Sequence, residues 1–307
     1  MTPRNRMSTP LGLQWERDGA QWPYSHLSRF VQTPRLRWHV QYAAHIDPQA
    51  PTLLLLHGTG ASTHSWRGLW PLLSGQYSVL AMDFPGHAFT TMPASHDVAT
   101  LFSLPGMAAG VAEVLEQMHI APHAVIGHSA GAAVACMLAL DGHVRATRLI
   151  SLNGALLPLD GLAGQFFSPL AKLLANSPWV PALFSWRAAQ PAVLKKLLDG
   201  TGSELDAQGV ALYRQLISHP SHGAGALAMM AHWDLHAFRE RLPTLLTPLT
   251  LIVGSQDSIV PPSVAERVAK SLTRQPPPSV MRLDGLGHLA HEEHAVAVAA
   301  ALLSALN

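Results

Sequence analysis

Cysteine is nearly absent from this 307-residue chain. The single thiol, Cys136, closes no internal disulfide, and no Cys/His set stands at zinc-ligand spacing. A disulfide-stapled secreted scaffold and a structural zinc site are therefore excluded, and a reducing compartment, the cytoplasm, is expected. Charge is sparse as well. Only 13% of residues are charged, 20 basic against 19 acidic, with no basic block of the kind that follows a phosphate backbone, which argues against nucleic acid as a partner. No apolar run reaches the roughly 18 residues of a membrane span; Ala130–Leu140 and Ala295–Leu303 read as buried helices. Met1–Leu13 lacks the apolar core of about 7–15 residues that a secretory signal needs. Internal repeats are missing, and the run Pro276–Pro278 reads as a loop. What the chain does have is apolar bulk: 48% hydrophobic residues, enough for one large domain or one domain carrying an insertion, and too much for a disordered chain.

From Leu36 onward short apolar runs alternate with helical patterns, the signature of βαβ units and an α/β fold with a mostly parallel central sheet. Strands are expected over Leu36–Ala43, Thr52–Leu56, Tyr77–Met82, Ala124–Ile126, Arg148–Leu152, Leu249–Val253 and Val280–Leu283. Helices are expected over Leu104–Met118, where Met107, Val111, Val114, Leu115 and Met118 repeat at helical spacing, over Ala130–Leu140, over Ser263–Leu272 and over about His291–Leu306. Between Gly154 and Leu246 the alternation stops, and prolines at 158, 169, 178, 181 and 191 punctuate short apolar pieces, the texture of an inserted helical cap. The expected division is an N-terminal extension over 1–35, a core over 36–154 and 247–307, and a cap over 155–246.

The strongest chemical signal is Gly127-His128-Ser129-Ala130-Gly131, a G-x-S-x-G placed between an apolar strand and an alanine-rich helix. A nucleophile needs a sharp turn that projects its oxygen into a cleft, and the two glycines allow strand and helix to approach closely enough for one. A bare glycine turn with a capping serine is the bland alternative, and the flanking elements weigh against it. His57-Gly58-Thr59-Gly60 ends the Thr52–Leu56 strand, and the Thr59 and Ala130 N–H groups are the candidate donors to an oxyanion. Asp257 and His288 each stand just past a late strand, giving the chain order serine, acid, histidine. A serine hydroxyl is a poor nucleophile at neutral pH, so His288 would take its proton while Asp257 fixes the imidazole. Asp160 is the reserve acid.

Other residues read more plainly. Cys136 is expected to be a buried thiol on an apolar helix. His219, His222, His232 and His236 lack acidic or cysteine partners at ligand spacing, so no metal site is expected, and no cofactor. Met229, Met230 and Trp233 are candidates to line a pocket for an apolar ligand, against the alternative that they are cap core.

Together the HGTG, Asp83-Phe84-Pro85-Gly86-His87, G-x-S-x-G, Asp257 and Gly287-His288 segments resemble the α/β-hydrolase superfamily, over a match that runs from Leu36 to the end of the chain. A second set of segments is Trp15-Glu16-Arg17-Asp18-Gly19, Ser28-Arg29-Phe30-Val31, Arg37-Trp38-His39-Val40, Ser151-Leu152-Asn153-Gly154-Ala155 and Ala226-Leu227-Ala228-Met229-Met230-Ala231. It is similar to the magnesium chelatase accessory proteins of bacteriochlorophyll-making bacteria, which are themselves α/β-hydrolase homologues. The resemblance implies Ser129 as nucleophile, Asp257 as acid and His288 as base. It further implies a role near magnesium insertion into protoporphyrin IX, with a small hydrophobic substrate, a tetrapyrrole among the candidates, and magnesium chelatase subunits as partners. It does not imply a particular reaction. Ala88-Phe89 departs from the glycine that related hydrolases often carry after Pro-Gly-His, which bears on the local loop shape. Three readings result: a serine hydrolase of esters or related acyl bonds, a non-catalytic tetrapyrrole-binding or chelatase-docking protein, and a cofactor-free haloperoxidase or perhydrolase using the same three residues.

Overall fold

The computed structural model describes residues 12–158, 180–272 and 277–307. Eight strands form one sheet: β1 (Ser28–Gln32), β2 (Arg37–Ala43), β3 (Thr52–Leu56), β4 (Ser78–Met82), β5 (Ala124–His128), β6 (Arg148–Leu152), β7 (Leu249–Gly254) and β8 (Ser279–Leu283). Their order is β1-β2-β4-β3-β5-β6-β7-β8. β2 runs antiparallel to both of its neighbours, and every pairing from β4 to β8 is parallel. Helices α1 (Leu104–Gln117) and α2 (Ala130–Leu140) follow β4 and β5. Between β6 and β7 stand α3 (Val180–Ala188), α4 (Pro191–Asp199), α5 (Ala207–Ile217), α6 (Pro220–His232) and α7 (His236–Arg241); α8 (Ser263–Ser271) joins β7 to β8, and α9 (Ala290–Glu293) and α10 (Ala295–Leu306) end the chain. Asp160, Pro169 and Pro178 lie outside the described residues.

The leucine run of β3 shows how one strand serves two cores. Successive side chains point to opposite faces of a strand, so Leu54 and Leu56 pack with α1, α2 and α8, while Leu53 and Leu55 pack with Trp66, Trp70 and α10. All four are fully buried, each worth about 1.5–3 kcal/mol relative to exposure. Helix starts are chemically marked: Ser103 caps α1 by accepting the Gly106 N–H at 3.2 Å, with a proline in the first turn.

Most expected strands match the observed ones to within one or two residues, and β5 runs on to His128, which brings the ladder up to the serine turn. The stretch 1–35, expected to be an extension, instead contributes β1, the edge strand of the sheet. Its Ser-Arg-Phe-Val-Gln sequence carries only two apolar residues and no clean alternation, so the pattern that marks the inner strands is missing there. Leu13 and Trp22, also in that stretch, pack with Ala88, Phe89 and with Leu212 and Leu216 of α5. The last helix, expected from His291, is broken in two at His294, whose Nδ1 accepts the Ala297 N–H at 3.2 Å and so caps α10.

Candidate active site

Parallel strands deliver three loops to one end of the sheet, the end where α/β folds place their ligand sites. β5 turns into α2 at Ser129, whose φ of 51° and ψ of −117° lie in a sparsely populated region for a residue with a side chain. The turn depends on its glycines. A Cβ on Gly127 would strike the Gly131 backbone, and one on Gly131 would strike the Leu56 carbonyl at the end of β3.

β7 leads to Asp257 and β8 to His288. His288 Nε2 lies 3.0 Å from Ser129 Oγ, and its Nδ1 lies 2.8 Å from Asp257 Oδ2. The other Asp257 oxygen accepts the backbone N–H groups of Ile259 at 2.9 Å and Val260 at 2.8 Å. With Nδ1–H donated to the carboxylate, the Nε2 lone pair faces the serine hydroxyl. The backbone of His288 is tied at both ends, its N–H donating to Thr201 O at 3.0 Å and its carbonyl accepting from His128 Nε2 at 2.9 Å.

Asn153 belongs to the same network and was not singled out by the sequence reading. Its amide nitrogen donates to Asp257 Oδ2 at 2.7 Å and to the Gly287 carbonyl at 3.3 Å. The signal was an asparagine directly after β6, in left-handed backbone at φ 48°, a conformation asparagine tolerates better than most residues.

The Thr59 N–H donates to no acceptor among the described residues, and the Ala130 N–H opens α2, where a helix offers no acceptor of its own. Both residues border the same cavity as Ser129 and His288. That cavity has a volume of about 380 Å³, within the range of roughly 300–1,000 Å³ typical of small-molecule sites. No Asp, Glu, Lys or Arg is among its described lining residues. Of the three pocket candidates, Met230 and Trp233 line it and Met229 does not. One residue earlier on α6, about 100° around the helix, Met229 is fully buried and its sulfur accepts the Thr59 hydroxyl at 3.3 Å.

Comparison with known proteins agrees with this architecture. The profile of the alpha/beta hydrolase fold family matches residues 51–295. This chain belongs to the α/β-hydrolase family. It is 39% identical over 273 residues to the magnesium-chelatase 30 kDa subunit of Rhodobacter capsulatus, covering 89% of this chain and 92% of that protein. It is 30% identical over 236 residues to a pimeloyl-[acyl-carrier protein] methyl ester esterase of Aeromonas hydrophila, covering 69% of this chain and 80% of that one. Among solved structures it is similar in fold to the enol-lactonase of Burkholderia xenovorans LB400, with a TM-score of 0.69 and 20% identity over 91% of this chain and 99% of that chain.

Behind one wall of the cavity this α/β hydrolase buries a polar hub. Tyr213 on α5 donates its hydroxyl to Glu292 Oε1 at 2.7 Å, and Arg67 donates to Glu292 Oε2 and to Asp206 Oδ1, both at 2.7 Å. Burial pushes the Glu292 carboxyl up to about 7, with the Arg67 charge opposing it. The Cys136 thiol, buried on α2, is pushed up by burial to about 12 and stays protonated at neutral pH. Of the four histidines weighed as metal ligands, His222 alone borders the cavity, and among the described residues no group of three or more His, Cys, Asp or Glu side chains converges as a metal site. No described helix is long and apolar enough to cross a membrane.

Proposed function

We propose that the chain is a serine hydrolase of uncharged, apolar esters or related acyl bonds, working as an accessory factor at the magnesium chelatase step. The observation that carries the reading is the unbroken line from Asp257 through His288 to Ser129 Oγ at the edge of a cavity that also borders two uncommitted N–H groups. Ser129 Oγ attacks the acyl carbon as its proton passes to His288 Nε2, and the carbonyl oxygen takes up the electron pair between the Thr59 and Ala130 N–H groups. Collapse expels the alcohol, which takes the proton from His288. Water then repeats the sequence on the acyl-enzyme, releasing the acid and free Ser129. Asp257, oriented by Asn153, holds the imidazole in the working tautomer and stabilises its cation. The helices between β6 and β7 act as the cap that excludes water from this site.

The uncharged lining favours a neutral acyl group. A tetrapyrrole held through its carboxylates would need cations that the described lining lacks, so an esterified or carboxylate-free face suits the cavity better. The decisive test is labelling by a fluorophosphonate, with the modified peptide mapped by mass spectrometry. Adduct on Ser129 of the folded protein is expected, and a folded protein that takes up no label would refute the hydrolase reading.

The similarity to a magnesium-chelatase subunit favours a second reading, a non-catalytic protein that holds a tetrapyrrole or docks on the chelatase. Complementation of a phototroph lacking the gene separates the two. Under the hydrolase reading wild type restores bacteriochlorophyll and Ser129→Ala does not; equal restoration supports the docking role.

A further inference from the structure

The loop that carries the Thr59 N–H is held by histidines from three directions. His57 Nδ1 donates to Gly58 O at 2.7 Å, and the Gly60 N–H donates to His87 Nε2 at 3.1 Å. The third, His222, comes from α6, in the segment inserted between β6 and β7. Its Nε2 donates to Gly60 O at 3.0 Å and its Nδ1 accepts the Ala88 N–H at 3.1 Å. Accepting the Ala88 N–H requires the neutral ring, since an imidazolium has no lone pair for that amide. Gly60 itself needs to be glycine, with φ at 77°.

Two more contacts join the same helix to the same region. Gly225, one turn after His222, lies so close to Gly86 that a Cβ on it would strike the Gly86 carbonyl. Met229, a further turn on, accepts the Thr59 hydroxyl. Residues 222, 225 and 229 share one face of a helix, so α6 presents a single surface that grips Thr59 by its side chain and Gly60 by its backbone.

We infer that His222 is a positioning residue for the proposed hydrolysis: reaching from α6, it fixes Gly60 and with it the Thr59 N–H that meets the oxyanion. The inference rests on the hydrolase reading. It gives α6 a task distinct from that of a lid, because lifting this helix would release the oxyanion loop.

The test compares His222→Leu, which removes both hydrogen bonds, with His222→Gln, which keeps a donor and an acceptor on one side chain. Removing a whole oxyanion donor costs about 100- to 1,000-fold in turnover; loosening one is expected to cost about 10- to 100-fold. For His222→Leu that loss should appear in the rate of fluorophosphonate labelling and in kcat for a p-nitrophenyl ester, with KM nearly unchanged and with partial recovery in His222→Gln. Amide hydrogen exchange over residues 58–61 should speed up in the same order. Unchanged labelling and exchange in folded His222→Leu would overturn the inference; if that variant fails to fold, the same two readings on His222→Gln and Met229→Leu decide it. A wild type that takes no label withdraws the hydrolase reading and the catalytic consequence with it, while exchange still decides whether His222 holds the loop.

Discussion

The molecule contains the same row of side chains twice. At the candidate site Asp257, His288 and Ser129 are linked at 2.8 and 3.0 Å. Beside the β1–β2 edge of the sheet Asp83 Oδ2 lies 2.6 Å from His39 Nδ1, and His39 Nε2 lies 3.0 Å from Ser28 Oγ. The order of atoms is alike, yet the surroundings differ. Ser28 sits in the β1–β2 ladder opposite Gln41, whose side chain also donates to its hydroxyl at 3.3 Å. Ser129 sits on a strained turn beside a cavity and two N–H groups. Asp83 also accepts the N–H groups of Thr63 and Phe89, so its row knits β1, β2 and the loops after β3 and β4 into one unit. Under the proposed function one row is a relay and the other a rivet, and backbone strain, access and waiting donors separate the two.

The sharpest way to break this contrast is to remove each serine. Ser129→Ala should abolish fluorophosphonate labelling and lower ester turnover by a factor on the order of a million, whereas Ser28→Ala should leave both within about twofold, since the comparison assigns it no chemistry. Label found on Ser28 in the wild type would erase the distinction.

Replacing the acids should divide the two rows by the kind of damage. Asp257→Asn is expected to cost about 10,000-fold in turnover with a small change in urea midpoint. Asp83→Asn should cost about 3–5 kcal/mol in stability, the usual penalty for breaking a buried charged pair. Burial alone would raise Asp83, and the His39 charge and hydrogen bond more than offset that, holding it at about 2.

Acid should reach the cleft side first. Burial lowers the pKa values of His57, His64, His87, His128, His222 and His291, the last two to about 4 and about 3. Each ring contributes stability that is present above its unfolded value near 6.5 and is lost as pH falls toward its folded value, at up to about 1.36 kcal/mol per pH unit. Glu292, raised to about 7, works in the opposite sense, its contribution being full below the unfolded value and lost as pH rises through 7. These six rings, together with His219, whose pKa burial also lowers, stand against one carboxyl and predict a urea midpoint that drops clearly between pH 7 and pH 5, while Asp83 holds until the pH falls below its unfolded value near 3.8. A flat stability profile over that interval would contradict the neutral-histidine assignment.

A milder loss of turnover is expected at Asn153. Its alanine variant loses one hydrogen bond to the Asp257 carboxylate, and turnover should fall about 10-fold, from the roughly 1.5 kcal/mol at the low end for a bond to a charged group. A loss as large as that of Asp257→Asn would mean that Asn153 does more than orient the acid.

Much of this was legible in the sequence where local pattern and structure coincide. The inner strands are apolar on both faces, so Thr52–Leu56 and Leu249–Gly254 announce themselves. Ser129, Asp257 and His288 are legible as candidates because each follows an apolar strand, and parallel strands bring such positions to one end of a sheet. β1 was missed because an edge strand needs no double-sided apolar pattern, and Met229 was assigned to the pocket because helix rotation decides between adjacent methionines. The contact of His222 with Gly60, 162 residues apart in the chain, depends on how α6 is set against the core, which no local pattern encodes.

The cluster formed by Leu13, Trp22, Leu212 and Leu216 sets an order of events during synthesis. Its two halves are about 200 residues apart, and contacts of such long range form late, after the loop between them has closed. Until α5 is made, Leu13 and Trp22 have only the Ala88 and Phe89 part of that cluster to pack against, and its Leu212 and Leu216 side stays open. The packing of Leu13 and Trp22 is therefore completed only when Leu212 and Leu216 have arrived.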